Sequence, residues 1–171
     1  MSDGAERARE LAEAFDRSFA LPERVVEARG PAALAVRTGG DAYVLPLEGL
    51  SAVSRMPKVV PLPGSPPAQL GLAGVRGGLV AVFSLPALLG YEVAPTQLAW
   101  LVVTAGPRPL ALGFELLEGQ VAIPNEGVVA SPAGGRRHVD GLVRLEGEAN
   151  TRGVLDLVSM IKWLRAPGGR E

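Results

Sequence analysis

Residues 61–90 read PLPGSPPAQLGLAGVRGGLVAVFSLPALLG, and the division of this stretch decides the fold. Pro61, Pro63, Pro66 and Pro67 fix φ and remove backbone donors, so the segment is expected to run extended and unpaired, close to polyproline II. Leu70 and Leu72 then alternate with small residues into Gly71, Gly74, Gly77 and Gly78, and one cation, Arg76, stands among these glycines. The following LVAVFSL is an apolar run that predicts a buried strand. Pro86 to Gly90 closes the unit as a short helical turn with a glycine stop.

On the N-terminal side, ALAVRT from Ala33, the turn Thr38-Gly39-Gly40-Asp41 and AYVLPLEGLSAV predict a hairpin and a continuing strand. Tyr43, Leu45 and Leu47 alternate with Val44 and Pro46, which implies one buried face, with Pro46 marking an edge or a bulge. Upstream, residues 2–20 carry Ala8, Leu11, Phe15 and Phe19 at helical spacing, with Glu6, Arg9, Glu13 and Asp16 elsewhere. That amphipathic helix either packs on its own domain or docks a partner or a second copy. Residues 21–31 read as a linker.

On the C-terminal side, AWLVVTA (99–105) is a strand, 106–109 a turn, and LALGFELLEGQVAI (110–123) its hairpin partner. Residues 124–140 form a long polar loop containing Arg136, Arg137 and His138. GLVRLEGEANTRGVLDLVSMIKWL then supplies two strands and a helix from about Leu157. Residues 167–171 are a tail.

The chain has 171 residues, 47% of them hydrophobic, with 22 Gly and 15 Pro against two Trp, two Tyr and four Phe. A core of Val, Leu and Ala punctuated by Gly and Pro points to short strands in small barrels or a sandwich, as one domain or two lobes sharing a core. A net charge of −1 argues against nucleic acid as the main partner. The absence of cysteine excludes disulfides, thiolate metal sites and a cysteine nucleophile. No basic-then-apolar leader opens the sequence and no run approaches the ~20 apolar residues of a membrane span, so a cytoplasmic protein without membrane insertion is expected.

Catalytic constellations are not legible. His138, the only histidine, stands in the polar loop near Ser131 and Asp140 and is expected to be solvated. Metal ligands are too few, no phosphate loop occurs, and Asp41, Glu115, Asp140 and Asp156 fall on separate turns and strand ends. The chain reads as a non-enzyme without cofactor or metal. Arg76 is the residue to single out: it either pairs with a carboxylate or lies over the barrel, or anchors an interface from a rigid turn. PLPGSPP could serve alone as an SH3 ligand; inside this register it is an inter-strand connection.

The run from Pro61 to Gly90 resembles the CheW-like family, the coupling proteins of bacterial chemosensory arrays. The family motif P-x-P-x-x-P, then G-V-x-N-L-R-G-x-I-x-P-V-x-D-L and a closing L-G, is matched in register by Pro61, Pro63, Pro66, Gly71, Val75-Arg76-Gly77, Leu79, Val82, Leu85 and Leu89-Gly90. Gly74 replaces its asparagine, Ala81 its proline and Ser84 its aspartate, and Ala52 stands where a glutamate is usual. The first hairpin, Phe114-Glu115-Leu116-Leu117, Gly141, Gly147 and Val154-Leu155-Asp156-Leu157 extend the resemblance over residues 32–164.

The resemblance implies a mainly β fold, two SH3-like five-stranded β-barrels joined through a shared core over residues 32–166, flanked by the N-terminal helix and a short C-terminal helix. It implies an adaptor that bridges the tip of a methyl-accepting receptor and the regulatory domain of a CheA-type histidine kinase. The matching partner-binding residues are Arg76, Gly77, Val75 and Gly71, with Leu50, Ala52 and Val53 beside the turn. The departures leave open a member that binds one partner or competes with a standard adaptor. A small β-barrel enzyme or ligand carrier is the alternative of another class; it predicts a deep pocket with converging polar groups, whereas the adaptor predicts shallow apolar patches and an exposed Arg76.

Overall fold

A computed structural model describes residues 30–131 and 135–166. The expected N-terminal helix, most of its linker and the tail lie outside the described residues. Among the described residues, twelve strands form two six-stranded sheets. In lobe 1 the order is β10 (Val129–Ala130), β11 (Val139–Arg144), β12 (Thr151–Leu155), β2 (Asp41–Pro46), β1 (Ala32–Thr38), β9 (Leu116–Ala122). In lobe 2 it is β3 (Leu50–Arg55), β7 (Trp100–Thr104), β8 (Leu110–Phe114), β6 (Gly78–Ser84), β5 (Gln69–Val75), β4 (Val59–Val60). Each lobe thus has five full strands and one two-residue arm, β10 or β4.

The two sheets repeat one plan. In both, an arm pairs with a hairpin (β11–β12, β5–β6), the hairpin's second strand runs parallel to a neighbour (β2, β8), and that neighbour belongs to a second hairpin. A helix follows the first hairpin in each lobe: α1 (Leu85–Leu88) after β6 and α2 (Leu157–Arg165) after β12. Ser84 Oγ accepts from Ala87 N at 3.3 Å to cap α1, and Asp156 Oδ1 accepts from Ser159 N at 2.9 Å to cap α2. Lys162 and Arg165 in the last turn of α2 complement its dipole. Lobe 1 takes its second hairpin, β1–β2, from the beginning of the described chain.

Three apolar clusters result. Leu34, Val36, Tyr43 and Leu45 of lobe 1 meet Phe83, Leu85, Leu112 and Phe114 of lobe 2, with Leu157, Met160 and Leu164 of α2, in the shared core. Val44, Val143 and Val154 fill lobe 1, whereas Ala73, Val80, Val82 and Leu101 fill lobe 2. Strands between a lobe interior and the shared core are therefore buried on both faces. Tyr43, Val44 and Leu45 are all buried, not one face alone as the alternation suggested.

Other expectations are corrected. Pro46 is the last residue of β2, an inner strand, where the pairing with β12 has already ended, so its missing donor falls at neither an edge nor a bulge. Residues 110–123 form two strands in different sheets: β8 pairs with β7 and β6, and β9 pairs with β1. Glu115 marks the switch, its carboxylate accepting from Gly39 N at 2.5 Å. The proline segment has no ladder partner but is not uniformly extended. It turns twice, with Ser65 N donating to Leu62 O at 3.4 Å and Gln69 N to Pro66 O at 2.9 Å.

Candidate interaction surface

The β5–β6 hairpin closes through Arg76 and Gly77, whose φ values of 50° and 79° match a two-residue loop that follows the strand twist. Glycine accepts that backbone freely. At Arg76 it is a strained position for a side chain, of order 1 kcal/mol, and the guanidinium helps to hold it by donating to Ser51 O on β3 at 3.1 Å. Among the described residues no carboxylate pairs with Arg76, and both turn residues are exposed. The cation is fixed at one end and free to meet an acceptor at the other.

Beside the turn, the outer face of the sheet is apolar. Val60 stands opposite Leu72, Leu72 opposite Ala81, and Gly74 opposite Leu79. Leu79 is 77% exposed and Val60 58%, while Leu62 adds to the rim. A Cβ at Gly74 would meet nothing within 4 Å, so the backbone between Leu79 and Leu72 is open to close approach. A contiguous apolar face on a rigid sheet, with one fixed cation at its end, has the anatomy of a docking surface.

The other residues expected at the site divide differently. Ala52 is buried inside lobe 2, so its side chain does not reach the surface. Gly71 is buried as well: with φ 140°, a Cβ there would lie 2.1 Å from Val60 O, so its place is to let β4 cross. Ala73 is 2% exposed and faces inward too. Val75 packs under the turn against the lobe 2 interior, and Leu50 and Val53 pack against the shared core with part of their surface free. Leu79, Val60 and Leu62 are the additions. The apolar run LVAVFSL predicts a buried strand, but Leu79, just past the Arg76-Gly77 turn, is 77% exposed, whereas Ala81 on the same face packs against the shared core.

The titratable groups elsewhere are engaged with one another. Asp41, in the β1–β2 turn, accepts from the Tyr91 hydroxyl, which also bonds Tyr43 at 2.5 Å, and the Arg136 guanidinium lies 3.5 Å over the Tyr91 ring. Burial, and for Tyr91 the Asp41 bond as well, pushes both phenols above their ordinary range, so they act as neutral ties between the lobes. His138 is not solvated. Its Nδ1 bonds Ser159 Oγ at 2.9 Å, its ring meets Trp163 edge-on, and its Nε2 is buried without a partner. Burial lowers its pKa, Arg137 adds to that, and Asp156 partly opposes it. In lobe 1, a cleft of about 620 Å³ is lined by Arg37, Glu118, Glu148 and Arg152, but these charges pair with each other. Among the described residues no group of three or more His, Cys, Asp or Glu could hold a metal, and no helix is long and apolar enough to cross a membrane.

Comparison with known proteins follows the same lines. A model of the CheW-like domain matches residues 32–165. No curated protein matches the chain in sequence. Among solved structures, the chain is similar to the scaffolding protein TtCheW from Thermoanaerobacter tengcongensis, with a TM-score of 0.65 at 13% identity over 75% of this chain and 90% of that one. At that identity the likeness shows the fold, two barrels about a common core.

Proposed function

The chain belongs to the CheW-like domain family of scaffolds and adaptors, and on that premise we propose that it couples methyl-accepting receptors to a CheA-type histidine kinase as a cytoplasmic, non-catalytic member of a signalling array. The observation that carries this reading is the exposed Arg76 on its two-residue turn, beside the pair of Val60 and Leu72 and the exposed Leu79. Such a face suits a helical or barrel partner with an acceptor for the guanidinium. Holding two partners at once converts weak contacts into a cooperative assembly through effective concentration.

Two departures from the family motif leave this face unchanged. Ala52 is buried, and Ser84, 4% exposed, caps α1. Gly74 does alter it, removing a side chain from the outer face and favouring a partner that packs on bare backbone.

The test is calorimetric titration of the protein against the kinase regulatory domain and, separately, a receptor signalling-tip fragment, each repeated with Arg76→Glu. Binding to both, weakened about tenfold or more at one of them by the charge reversal, supports coupling. Binding to one alone recasts the protein as a partial or competing adaptor. No binding to either by folded protein sinks the proposal.

A further inference from the structure

The chain enters lobe 1 at the end of β9. A Cβ on Gly30 would fall 1.7 Å from Ile123 O and 3.3 Å from Asn125 Oδ1, and Ile123 N donates to Pro31 O at 2.9 Å. From Asn125 to Val128 is at most about 11 Å of extended chain. Val128 and Val129 are 47% and 65% exposed. Val129 stands opposite Leu142, and Leu142 opposite Gly153. In the repeated plan this row is the lobe 1 counterpart of Val60, Leu72 and Ala81.

It differs from its counterpart in having a hole. Gly153 stands where lobe 2 has Ala81, and the Tyr43 ring fills the place of its side chain, 2.7 Å from where a Cβ would lie, so the opening is beside Gly153 and not over it. A cavity of about 270 Å³ opens beside it, floored by Tyr43, Val139, Leu142 and Gly153 with Asp41 and Arg136 on the rim. That is below the ~300–1,000 Å³ of small-molecule sites and suits one large apolar side chain.

We propose that residues 2–20 fold back as an amphipathic helix on the outer face of β10, β11 and β12 of their own chain, seating a phenylalanine in this cavity. The occupant follows from the sequence that precedes Gly30. Its apolar face, Ala8, Leu11, Phe15 and Phe19, ends eleven residues before position 30, a tether of at most about 40 Å that starts beside the row. The chain then covers the apolar row of lobe 1 itself and leaves the row of lobe 2 free. This docking goes beyond the adaptor reading and does not depend on it.

The sequence has no cysteine, so Ser18→Cys carries a nitroxide at a single site in the full chain. In 15N-labelled protein the amide signals of Val129, Leu142 and Gly153 are expected to lose most of their intensity, while those of the β5–β6 hairpin keep theirs. The loss should vanish in Phe15→Asp/Phe19→Asp. It should also vanish in Val129→Asp, an exposed change that leaves the remaining lobe signals in place. A mixed sample, nitroxide on one population and 15N on the other, should show no loss. The proposal is overturned if the three signals stay intact in the singly labelled chain, if the mixed sample loses them equally (a second copy is then the occupant), or if Val60 and Leu72 are affected instead.

Discussion

Val80 and Arg152 occupy the same place in the two lobes. Val80 lies opposite Ala73 on the inner face of the β5–β6 hairpin, and Arg152 lies opposite Val143 on the inner face of β11–β12. Around Val80 the interior is small and apolar: Ala52, Ala73, Ala111, Val82. Around Arg152, a guanidinium whose residue is 5% exposed, Glu148 supplies two oxygens at 2.7 Å, and Glu118 binds a third nitrogen and Arg37 as well. The Glu148 bonds chiefly, aided by Glu118, push the Arg152 pKa further up against the effect of burial. One strand plan thus accepts either an apolar filling or a charge whose every partner is in place. Lobe 1 has an apolar interior that also holds this buried charge network, whereas the lobe 2 cluster holds no charge; both lobes expose apolar side chains, Leu79 and Val60 on lobe 2 and Val129 and Leu116 on lobe 1. Leu79, at 77%, is the most exposed of these side chains, and the candidate face on lobe 2 is built around it.

The sharpest way to break this comparison is to exchange the two positions. Val80→Arg places a cation in an interior with no carboxylate, and it should cost more than about 4 kcal/mol, enough to abolish folding in a urea titration. Arg152→Val should cost about 2 kcal/mol, below the figure for fully buried pairs because the Glu118 side chain it strands is 25% exposed. Changing Glu118 and Glu148 to Leu in that background should recover most of the loss. If Arg152→Val alone is neutral, the network is ornamental.

The arms give a second contrast. A Cβ on Gly71 would lie 2.1 Å from Val60 O with φ 140°, but on Gly141 it would lie 2.8 Å from Val129 O without a positive φ. Gly71→Ala should therefore cost about 3 kcal/mol and Gly141→Ala about 1, by the same titration. Equal costs would mean that the arms can shift freely.

The smallest effect is on pH. Hydrogen bonds from Arg37 and Arg152 outweigh burial to hold Glu118 below the usual carboxylate range, and bonds from Arg152 do the same for Glu148. Their stabilisation is complete above the unfolded value of roughly 4.3 and is lost as pH falls from there through the lower folded values. His138, with its folded pKa below about 6.5, adds an earlier loss, because the unfolded chain takes up its proton first as pH drops. Thermal melts from pH 7 to 3 should show two steps of decreasing Tm. Arg152→Val with both glutamates replaced should remove the lower step, and His138→Asn the upper one.

Much of the fold was legible because period and punctuation agree. The Gly39-Gly40 turn, the Arg76-Gly77 turn and the glycine stop at Gly90 each fix a local geometry. What escaped was non-local. Nothing near Glu115 announces that β8 and β9 part into different sheets, because that depends on the partners β1 and β7. Arg152 reads as a surface charge until the barrel brings Glu118, 34 positions away, against it. The site was half legible: the turn that presents Arg76 is local, but only the register across β4, β5 and β6 shows that Ala52 and Gly71 point inward and Leu79 outward.

The most direct test of the lobe 2 face uses the positions that the repeated plan makes equivalent, Leu79 opposite Gly74 and Thr151 opposite Arg144. The kinase regulatory domain would be titrated into wild type, Leu79→Asp and Thr151→Asp, all checked for native melting. The account predicts a loss of affinity of about tenfold or more for Leu79→Asp and wild-type affinity for Thr151→Asp. Unchanged binding by Leu79→Asp, or a loss confined to Thr151→Asp, would contradict it.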